Sequence, residues 1–592
     1  MLPLPFQNHL CYDNSKYEQI EKQEVTALTL QKKIPIGIEM YKKIIDNNYY
    51  YVDKTLLIRD LLDQTGEVTL FTRPRRFGKT LSLSMLQTFF EKEIDPDGNV
   101  VDNSRYFIGK KIMDAGEAYT KHLGQYPVIF LSLKSAKQPN FEMAYKSLLE
   151  EIQKEYERHR YVLRSEKLSD ELKAKYLTVL KMTADDITYA KSLEFLSRCL
   201  KICHDQKVIL LLDEYDVPLE NAYFNGFYNE MIAFIRSLFE SALKTNENLE
   251  FAVITGCLRI SRESIFTGLN NLKVISVLNK SYAEYFGFVQ NEVDDLLSFY
   301  NLQSKHNEVK EWYDGYLFGK TEVYNPWSLL NYVCDMCFGD SDFPKAYWSN
   351  TSSNDIIRKL IEKADDETKN ELENLIAGST IEKPIHEDIT YEDIYASQDN
   401  LWNFLFFTGY LKAVEQHFDS QTISLVMKIP NLEIRYIYNT NIMEWFTRRT
   451  TQLDLSGFYQ AVLDGKPNLV EELLRVQLEE SISCMDSAEN FYHGFVLGLL
   501  KGLSGYKKLS NRESGEGRYD IVLMPYDERK PAVILEIKRC DVFSQLDRKC
   551  EEALQQIQEK HYDAELISEE YMNILKYGIC FCKKSCRVKL EK

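Results

Sequence analysis

The chain has 592 residues, too many for one hydrophobic core, so its length alone predicts several domains. Its hydrophobic and charged fractions, 44% and 27%, are typical of a soluble globular protein, and no apolar run nears the ~20 residues that span a bilayer. A formal net charge of -18 argues against a protein that coats nucleic acid non-specifically. The opening segment Met1–Phe6 lacks the basic and apolar regions of an export signal, which predicts a cytoplasmic protein without a membrane anchor.

Charge and cysteine content separate the C-terminal part from the rest. Residues 484–592 carry equal numbers of basic and acidic residues, so the negative excess lies upstream and a local basic groove remains compatible with this part. The twelve cysteines include the clusters Cys334-x-x-Cys337 and Cys580-x-Cys582-x-x-x-Cys586. Because these clusters lie far apart in sequence, we interpret them as reduced thiols in preference to zinc ligands.

In chain order, residues 1–33 are polar and irregular and predict an N-terminal arm. Residues 34–345 alternate short apolar runs with helical periods and end in an aromatic, helical stretch. This pattern predicts a parallel sheet buried on both faces, followed by a helical lid. The runs expected to form strands are Val68–Phe71, Val128–Leu133, Val208–Leu212, Phe251–Thr255 and Val274–Leu278.

Residues 346–450 are predicted to contain an acidic connection and a winged-helix-like module. The module is inferred from a helix over Leu401–Val414, a strand over Thr422–Ile429 and a further helix from about Thr440. A winged helix can bind DNA, but the charge of this one is unremarkable, so we favour a packing or lid role. Residues 451–592 are predicted to form the last domain.

The first motif with a chemical meaning is Thr72-Arg73-Pro74-Arg75-Arg76-Phe77-Gly78-Lys79-Thr80, which follows an apolar run and precedes a helical pattern. Gly78, Lys79 and Thr80 are the residues that a P-loop uses for its turn, for the phosphates and for Mg²⁺. Arg73 stands where the standard spacing has a glycine. Taken alone, the motif is therefore equally compatible with an accidental basic turn.

Later strands supply the remaining parts of a nucleotide site. Val208–Leu212 runs into Asp213, expected to hold the Mg²⁺ shell, and Glu214, expected to polarise the attacking water. Thr255 ends another strand and is expected to sense the γ-phosphate. Arg259 is expected to reach the same phosphates, although a plain surface arginine explains it equally well.

Arg73 is assigned to the nucleotide-binding site as well, and so are Arg75 and Arg76, which are interpreted as phosphate ligands. They can serve their own site or a neighbour's across an interface, so the sequence leaves homo-oligomerisation open.

The C-terminal segment predicts an α-β-β-β-α-β unit. Its helices and strands are expected at Phe491–Leu503, Tyr506–Leu509, Tyr519–Met524, Ala532–Lys538, Ser544–Tyr562 and Tyr577–Phe581.

Three residues of this unit have the chemistry of a metal-dependent phosphodiesterase. Glu536 and Lys538 alternate along one strand and so share a face, while Asp520 comes from the neighbouring strand. Two carboxylates can hold Mg²⁺ (or Mn²⁺) beside a phosphate, and the lysine can position the attacking water. The alternative is a surface Glu–Lys pair on an edge strand. Further support is expected from Glu489 or Glu513 as ligands and from Gln556.

Together these motifs resemble the bacterial AAA-ATPase-like family, whose members typically end in a PD-(D/E)XK nuclease-superfamily domain. The resemblance covers nearly the whole chain from residue 34 and implies a P-loop core in which arginine at position 73 is normal. It rests on Tyr51–Thr55, Arg73–Thr80, Leu212–Asp216, Thr255-Gly256, Arg259–Ser261, Trp312–Tyr316, Tyr324–Pro326 and Ser510–Asp520.

The expected fold class is α/β: a P-loop NTPase parallel sheet with flanking helices, a winged-helix-like middle module and a C-terminal restriction-endonuclease-like αβββαβ domain. We expect a protein that binds and hydrolyses ATP and uses Mg²⁺ (or Mn²⁺) to cleave nucleic acid, with DNA as the partner. The competing hypothesis is a nucleotide-driven switch or regulator whose C-terminal domain binds nucleic acid without cutting it. The sequence leaves open whether ATP is hydrolysed or only bound.

Overall fold

The computed structural model describes residues 32–591 apart from 65, 245, 260–264, 267–270, 340, 351–365, 377, 388–396, 420–421, 441–453, 480–488, 511–512, 515–516, 570 and 583–584. The chain divides into two compact units, one running to Lys310 and taking in Leu317–Pro344, the other comprising Glu311–Tyr316 and the chain from Lys345. The N-terminal arm predicted for residues 1–33 lies almost wholly outside the described residues. Within the described ranges, no helix is both long and apolar enough to cross a membrane.

A five-stranded parallel sheet forms the centre of the first unit, with strand order β2-β3-β4-β1-β5. Every residue of β1 and β3 is buried, as expected when helices cover both faces of a sheet. The predicted parallel sheet is confirmed. The strands are β1 (Val68–Thr72), β2 (Val128–Ser132), β3 (Val208–Asp213), β4 (Leu249–Gly256) and β5 (Leu272–Ile275).

Helices connect these strands and continue beyond them. The first are α1 (Tyr41–Asp46), α2 (Leu56–Gln64), α3 (Lys79–Phe90), α4 (Glu117–Thr120), α5 (Phe141–Arg158), α6 (Asp170–Leu180), α7 (Asp186–Ala190), α8 (Ser192–His204), α9 (Val217–Asn225) and α10 (Tyr228–Leu243). After the sheet come α11 (Gln290–Phe299), α12 (His306–Tyr313), β6 (Tyr316–Phe318), β7 (Thr321–Val323) and α13 (Pro326–Phe338).

The local sequence explains where several helices begin. Asn140 and Ser169 cap α5 and α6, because their side chains accept hydrogen bonds from backbone amides of the first turn. Asn325 does the same for α13, directly before Pro326, a residue that the first turn of a helix favours.

The second unit begins with an antiparallel three-stranded sheet in the order β8-β10-β9. The predicted helix Leu401–Val414 is wrong in its second half, because the helix ends at Phe407 and Lys412 already belongs to a strand. Gly409, at a φ of 91°, takes a left-handed conformation that ends the helix there. The elements are β8 (Ile381–Pro384), β9 (Lys412–Phe418), β10 (Ile423–Lys428), α14 (Asp366–Ile376), α15 (Gln398–Phe407) and α16 (432–440).

Much of the acidic connection and of the helix predicted from Thr440 lies outside the described residues. The winged-helix-like interpretation therefore stays a prediction.

The C-terminal sheet has five strands in the order β11-β14-β15-β16-β17. Only the β15–β16 pair is parallel; the other neighbours are antiparallel. The predicted order of helices and strands is confirmed, and three further strands appear: β17 at the edge of this sheet and the short pair β12 and β13. The elements of this region are α17 (Ser456–Leu463), α18 (Pro467–Glu479), α19 (Glu489–Leu500), β11 (Tyr506–Ser510), β12 (Glu513–Ser514), β13 (Gly517–Arg518), β14 (Ile521–Pro525), β15 (Ala532–Arg539), α20 (Leu546–Glu559), α21 (Ala564–Ser568), β16 (Ile574–Cys582) and β17 (Ser585–Leu590).

Candidate active sites

The first candidate site lies in the turn between β1 and α3. The strand ends at Thr72, a loop follows, and the helix begins at Lys79. Lys79 is 5% exposed, and its ammonium group donates hydrogen bonds to the carbonyl oxygens of Arg73 (2.9 Å) and Pro74 (3.0 Å). The loop therefore curls around the lysine, in the strand–loop–helix setting that a P-loop has.

Arg73 is part of the core of this unit. Its side chain is fully buried and donates hydrogen bonds of 2.9 Å to the carbonyl oxygens of Thr72 and Ile275. The guanidinium lies 5.3 Å from the ring centroid of Phe286 and 5.1 Å from that of Phe318. Burial lowers the pKa of Arg73 to about 9. Arg73, predicted to be a nucleotide-binding residue, thus joins the loop to β5 and packs against two aromatic rings.

The other two arginines of the loop also have partners within the first unit. Arg75 forms an ion pair with Glu220. The guanidinium of Arg76 lies over the ring of Trp327, 4.0 Å from its centroid. To contact a phosphate, each would have to leave its internal partner or share it.

Asp213 lies at the carboxyl end of β3, where the first turn of α3 and the end of β4 each bring one hydroxyl group to it. One carboxylate oxygen accepts a hydrogen bond from Thr80 (2.8 Å) and the other from Thr255 (2.6 Å). Burial is the main cause that raises the pKa of Asp213 to about 6. Glu214 follows with a φ of 51°, a left-handed conformation that is unusual outside glycine and is often found at functional sites. The structure thus groups Thr80, Asp213, Glu214 and Thr255.

Sequence reasoning missed a set of contacts just beyond these residues. The buried carboxylate of Asp216 accepts hydrogen bonds from the backbone amides of Cys257 (2.7 Å) and Leu258 (3.0 Å). The hydroxyl of Tyr215 donates to the carbonyl oxygen of Leu258 (2.7 Å). These bonds fix the backbone that leads to Arg259, which is half-buried. The chain order Asp-Glu-Tyr-Asp was visible in the sequence, but nothing in it identified the backbone that Asp216 contacts.

The second candidate site lies where β14 and β15 meet. Asp520 directly precedes β14, so the prediction that it lies within a strand is wrong by one residue. Its carboxylate accepts a hydrogen bond of 2.7 Å from the backbone amide of Ile537 in the neighbouring strand. On β15, the ammonium group of Lys538 lies 3.1 Å from a carboxylate oxygen of Glu536. The structure therefore brings Asp520, Glu536 and Lys538 together.

The electrostatics of this site are dominated by two close, poorly hydrated carboxylates. Glu536 is 2% exposed, and its Oε2 atom is buried without a hydrogen-bond partner among the described residues. Burial, followed by the neighbouring charge of Asp520, raises the pKa of Glu536 to about 7. Burial also raises the pKa of Asp520. The nearby ammonium group of Lys538 lowers the pKa of both carboxylates, but by less than burial raises it.

The register of the sheet shows which side of β15 carries the site. Glu536 pairs with Gly578 and Lys538 with Cys580 in the parallel strand β16, and paired residues share a face. A Cβ atom on Gly578 would lie 2.4 Å from the carbonyl oxygen of Cys550 in α20. Only glycine permits so close an approach, so α20 packs tightly against the face that bears Glu536 and Lys538.

The chain matches two family models. Residues 35–266 match the model described as a predicted AAA-ATPase, and residues 487–591 match that of the PD-(D/E)XK nuclease superfamily. The chain thus contains one segment similar to an AAA-ATPase-like domain and a later one similar to a PD-(D/E)XK-superfamily domain, and the two are called by these names below. This confirms the resemblance seen in the motifs.

A curated relative is an uncharacterized protein in the vnfD 5' region of Azotobacter chroococcum mcd 1. It is 27% identical over 340 residues, and the alignment covers 56% of each chain. The chain thus spans about half the length of this relative.

The supporting residues predicted for the PD-(D/E)XK domain occupy three different places. Gln556 on α20 donates a hydrogen bond of 3.0 Å to the hydroxyl of Tyr562. Tyr562 is 2% exposed, and its pKa is raised by burial, with a further contribution from the charge of Glu536. Glu489 starts α19 and Glu513 lies in β12, but their side chains lie outside the described part of the chain.

His493 on α19 is a site residue that sequence reasoning missed. Its Nε2 atom lies 2.9 Å from the carbonyl oxygen of Asp520 and 3.0 Å from the hydroxyl oxygen of Ser510. A single histidine in a helical pattern gave no signal of this contact.

The donor set of the PD-(D/E)XK domain fits a divalent cation. Two carboxylates lie close together, and the unpartnered Oε2 atom of Glu536 offers a free coordination position. The described residues contain no group of three or more His, Cys, Asp or Glu side chains suited to a metal. Mg²⁺ commonly takes only one or two protein carboxylates and completes its shell with water and phosphate oxygens. Asp520 and Glu536 satisfy that requirement.

Proposed function

We propose that this protein cleaves phosphodiester bonds of nucleic acid, with DNA as the substrate, and that ATP binding at the P-loop controls the cleavage. The observation that carries the proposal is the buried, unpartnered carboxylate oxygen of Glu536 beside Asp520 and Lys538. Burying two carboxylates side by side is costly, and a cation bound between them would remove that cost.

The residues have distinct roles in the proposed reaction. Asp520 and Glu536 would hold Mg²⁺ or Mn²⁺ against the scissile phosphate. The bound ion would neutralise developing negative charge and lower the pKa of a coordinated water. The Lys538 amine, on the same face as Glu536, would orient the attacking water or offset the charge that forms on the phosphate oxygens.

The AAA-ATPase-like domain would bind ATP with Mg²⁺. Lys79 would meet the β- and γ-phosphates after exchanging its bonds to loop carbonyls for phosphate oxygens. Thr80 and Asp213 would hold the Mg²⁺ ion, and Glu214 would polarise the attacking water. Thr255 contacts both Asp213 and the backbone amide of Glu214 (3.4 Å), which makes it suited to report the state of the γ-phosphate.

The first experiment is a cleavage assay on linear, circular and single-stranded DNA and on RNA, with Mg²⁺ or Mn²⁺ and with or without ATP. We expect cleavage that is lost in Asp520→Ala, retained in the control Glu528→Ala and altered by ATP only when Lys79 is present. Glu528 is an exposed carboxylate of the same domain and suits this control.

A second outcome would favour the competing hypothesis. If ATP and DNA both bind but no substrate is cut under any condition, the protein is a nucleotide-driven switch. Asp520→Ala would then leave its cellular role intact, whereas Lys79→Ala would abolish it.

A further inference from the structure

We propose that His493 is a positioning residue that holds Asp520 in its metal-binding orientation. This inference rests on the proposed function, because it assigns a role at the same metal site. The observation behind it is the contact of 2.9 Å between His493 Nε2 and the carbonyl oxygen of Asp520.

Asp520 needs such support because it lies just outside the hydrogen-bonded pairing of β14 with its neighbouring strands. The pairing of β14 with β11 and with β15 begins at Ile521, one residue later. The carboxylate end of Asp520 is held by the backbone amide of Ile537, at 2.7 Å. The backbone end is held by His493. Together, the two bonds fix both ends of the residue from two different elements, β15 and α19.

The chemistry of the contact defines the state of the imidazole ring. A carbonyl oxygen can only accept a hydrogen bond, so Nε2 must carry the proton and donate it. The Ser510 hydroxyl, 3.0 Å from the same nitrogen, then serves as a second acceptor. Ser510 is the last residue of β11, so the histidine ties the end of that strand to the turn before β14.

The position of His493 is itself set by packing. The adjacent Tyr492 is fully buried and its ring stacks on Phe581 of β16, with centroids 4.3 Å apart and planes 3° from parallel. Phe495 packs edge-on against the same ring. These contacts hold α19 against the sheet and so fix the backbone position from which the His493 side chain reaches Asp520.

Loss of the contact between His493 and Asp520 should weaken metal binding strongly but change the stability of the fold only a little. Residues that orient a metal ligand typically account for 10- to 100-fold in metal affinity. We expect His493→Ala to bind Mn²⁺ about tenfold more weakly than the wild type. The hydrophobic anchors of α19 are unchanged in this variant, so the unfolding midpoint should shift little.

The test compares two amide substitutions of the full chain by calorimetric titration with Mn²⁺. Gln can place an N–H donor near the position of Nε2, whereas the shorter side chain of Asn cannot. We expect His493→Gln to bind Mn²⁺ within about threefold of the wild type and His493→Asn to resemble His493→Ala. Lys501→Ala, an exposed residue just past the same helix, is the matched control and should bind like the wild type.

The outcomes separate this inference from the proposed function. If the wild type shows no Mn²⁺ binding that Asp520→Ala removes, the proposed metal site itself fails. If that binding exists but His493→Asn matches the wild type, or His493→Gln is as weak as His493→Asn, the positioning role is overturned. The amide pair decides the question even if His493→Ala does not fold.

Discussion

Both domains bury carboxylates, but the pKa of the buried carboxylate is lowered in one domain and raised in the other. In the AAA-ATPase-like domain, burial acts to raise the pKa of Glu155, yet Arg158 outweighs it and brings the value to about 2. Arg158 lies 2.6 Å from Glu155 and also pairs with Glu91. In the PD-(D/E)XK domain, burial and Asp520 together raise the pKa of Glu536 to about 7.

The difference separates a structural charge cluster from a candidate site. The first cluster contains its own cation, and Glu155 further accepts a hydrogen bond from the backbone amide of Phe130 (2.8 Å). The second holds two carboxylates with one lysine and leaves an oxygen of Glu536 without a partner in the described chain. A buried carboxylate that is paired with a cation of the protein itself is typical of a structural cluster. A buried carboxylate with an oxygen that lacks a partner is typical of a site that binds a cation from solution.

The largest change in the free energy of unfolding is expected from removing Arg158, the cation of the first cluster. Arg158→Met should lower the free energy of unfolding by about 3–5 kcal/mol, because it leaves Glu155 and Glu91 buried without the guanidinium group that pairs with both. Urea denaturation measures this change. The matched control is Arg160→Met, whose ion pair with Glu157 is exposed and should contribute less than about 1 kcal/mol. Equal effects of the two substitutions would contradict the comparison.

In the PD-(D/E)XK domain, by contrast, we expect the removal of a charge to stabilise the structure. In the presence of a chelator at about pH 8, Glu536→Gln should stabilise β15 by about 1–3 kcal/mol, because the neutral amide removes the cost of burying a charge beside Asp520. Hydrogen–deuterium exchange of the strand 532–539 measures this gain. Added Mg²⁺ should protect the same strand in the wild type and not in Glu536→Gln. The exposed Glu528→Gln should behave as the wild type in both conditions, and a destabilised Glu536→Gln would refute the prediction.

The two carboxylates should also respond to pH in opposite windows. The folded pKa of Glu155 lies below its ordinary value of 4.5, so its contribution to stability is present above pH 4.5 and is lost as the pH falls towards about 2. The folded pKa of Glu536 lies above 4.5, so its contribution is full below pH 4.5 and is lost as the pH rises through about 7.

Free energies of unfolding across this range would test both windows. The stabilising effect of Glu536→Gln should disappear at low pH, where the wild-type side chain is protonated. The destabilising effect of Glu155→Gln should shrink there as well. A pH-independent difference for either variant would contradict the assigned shift.

The sequence predicted the parts of these sites that depend on local order. The parallel sheet followed from fully apolar runs, and Asp213 and Glu536 were identified because each lies at or near the end of such a run. Strand alternation also placed Glu536 and Lys538 on one face correctly. These features depend on residues that are near one another in the sequence, so the pattern of apolar and polar residues is enough to predict them.

The features that sequence analysis missed depend on distant residues. Arg73 occupies a P-loop position by spacing, but its side chain packs between Phe286 and Phe318, which no local pattern reveals. Helical periodicity likewise could not show that His493 faces the turn at Asp520. The error in the helix after Leu401 has a local cause, since a single glycine outweighed a continuing apolar pattern.

Asp213 offers an intermediate case that sharpens the comparison, because two hydroxyl groups donate to it and Lys79 lies near it, yet burial still raises its pKa to about 6. Thr255 donates to Asp213 at 2.6 Å and accepts from the amide of Glu214. Thr255→Val keeps the shape but removes both bonds, so it should lower the free energy of unfolding by about 1–2 kcal/mol and weaken ATP binding with Mg²⁺. Thr255→Ser keeps the hydroxyl and should stay close to the wild type. Urea denaturation and titration with a fluorescent ATP analogue measure the two effects. If Thr255→Val matched Thr255→Ser, the Thr255 hydroxyl would have no part in stabilising the buried charge of Asp213, and that role would fall to Thr80.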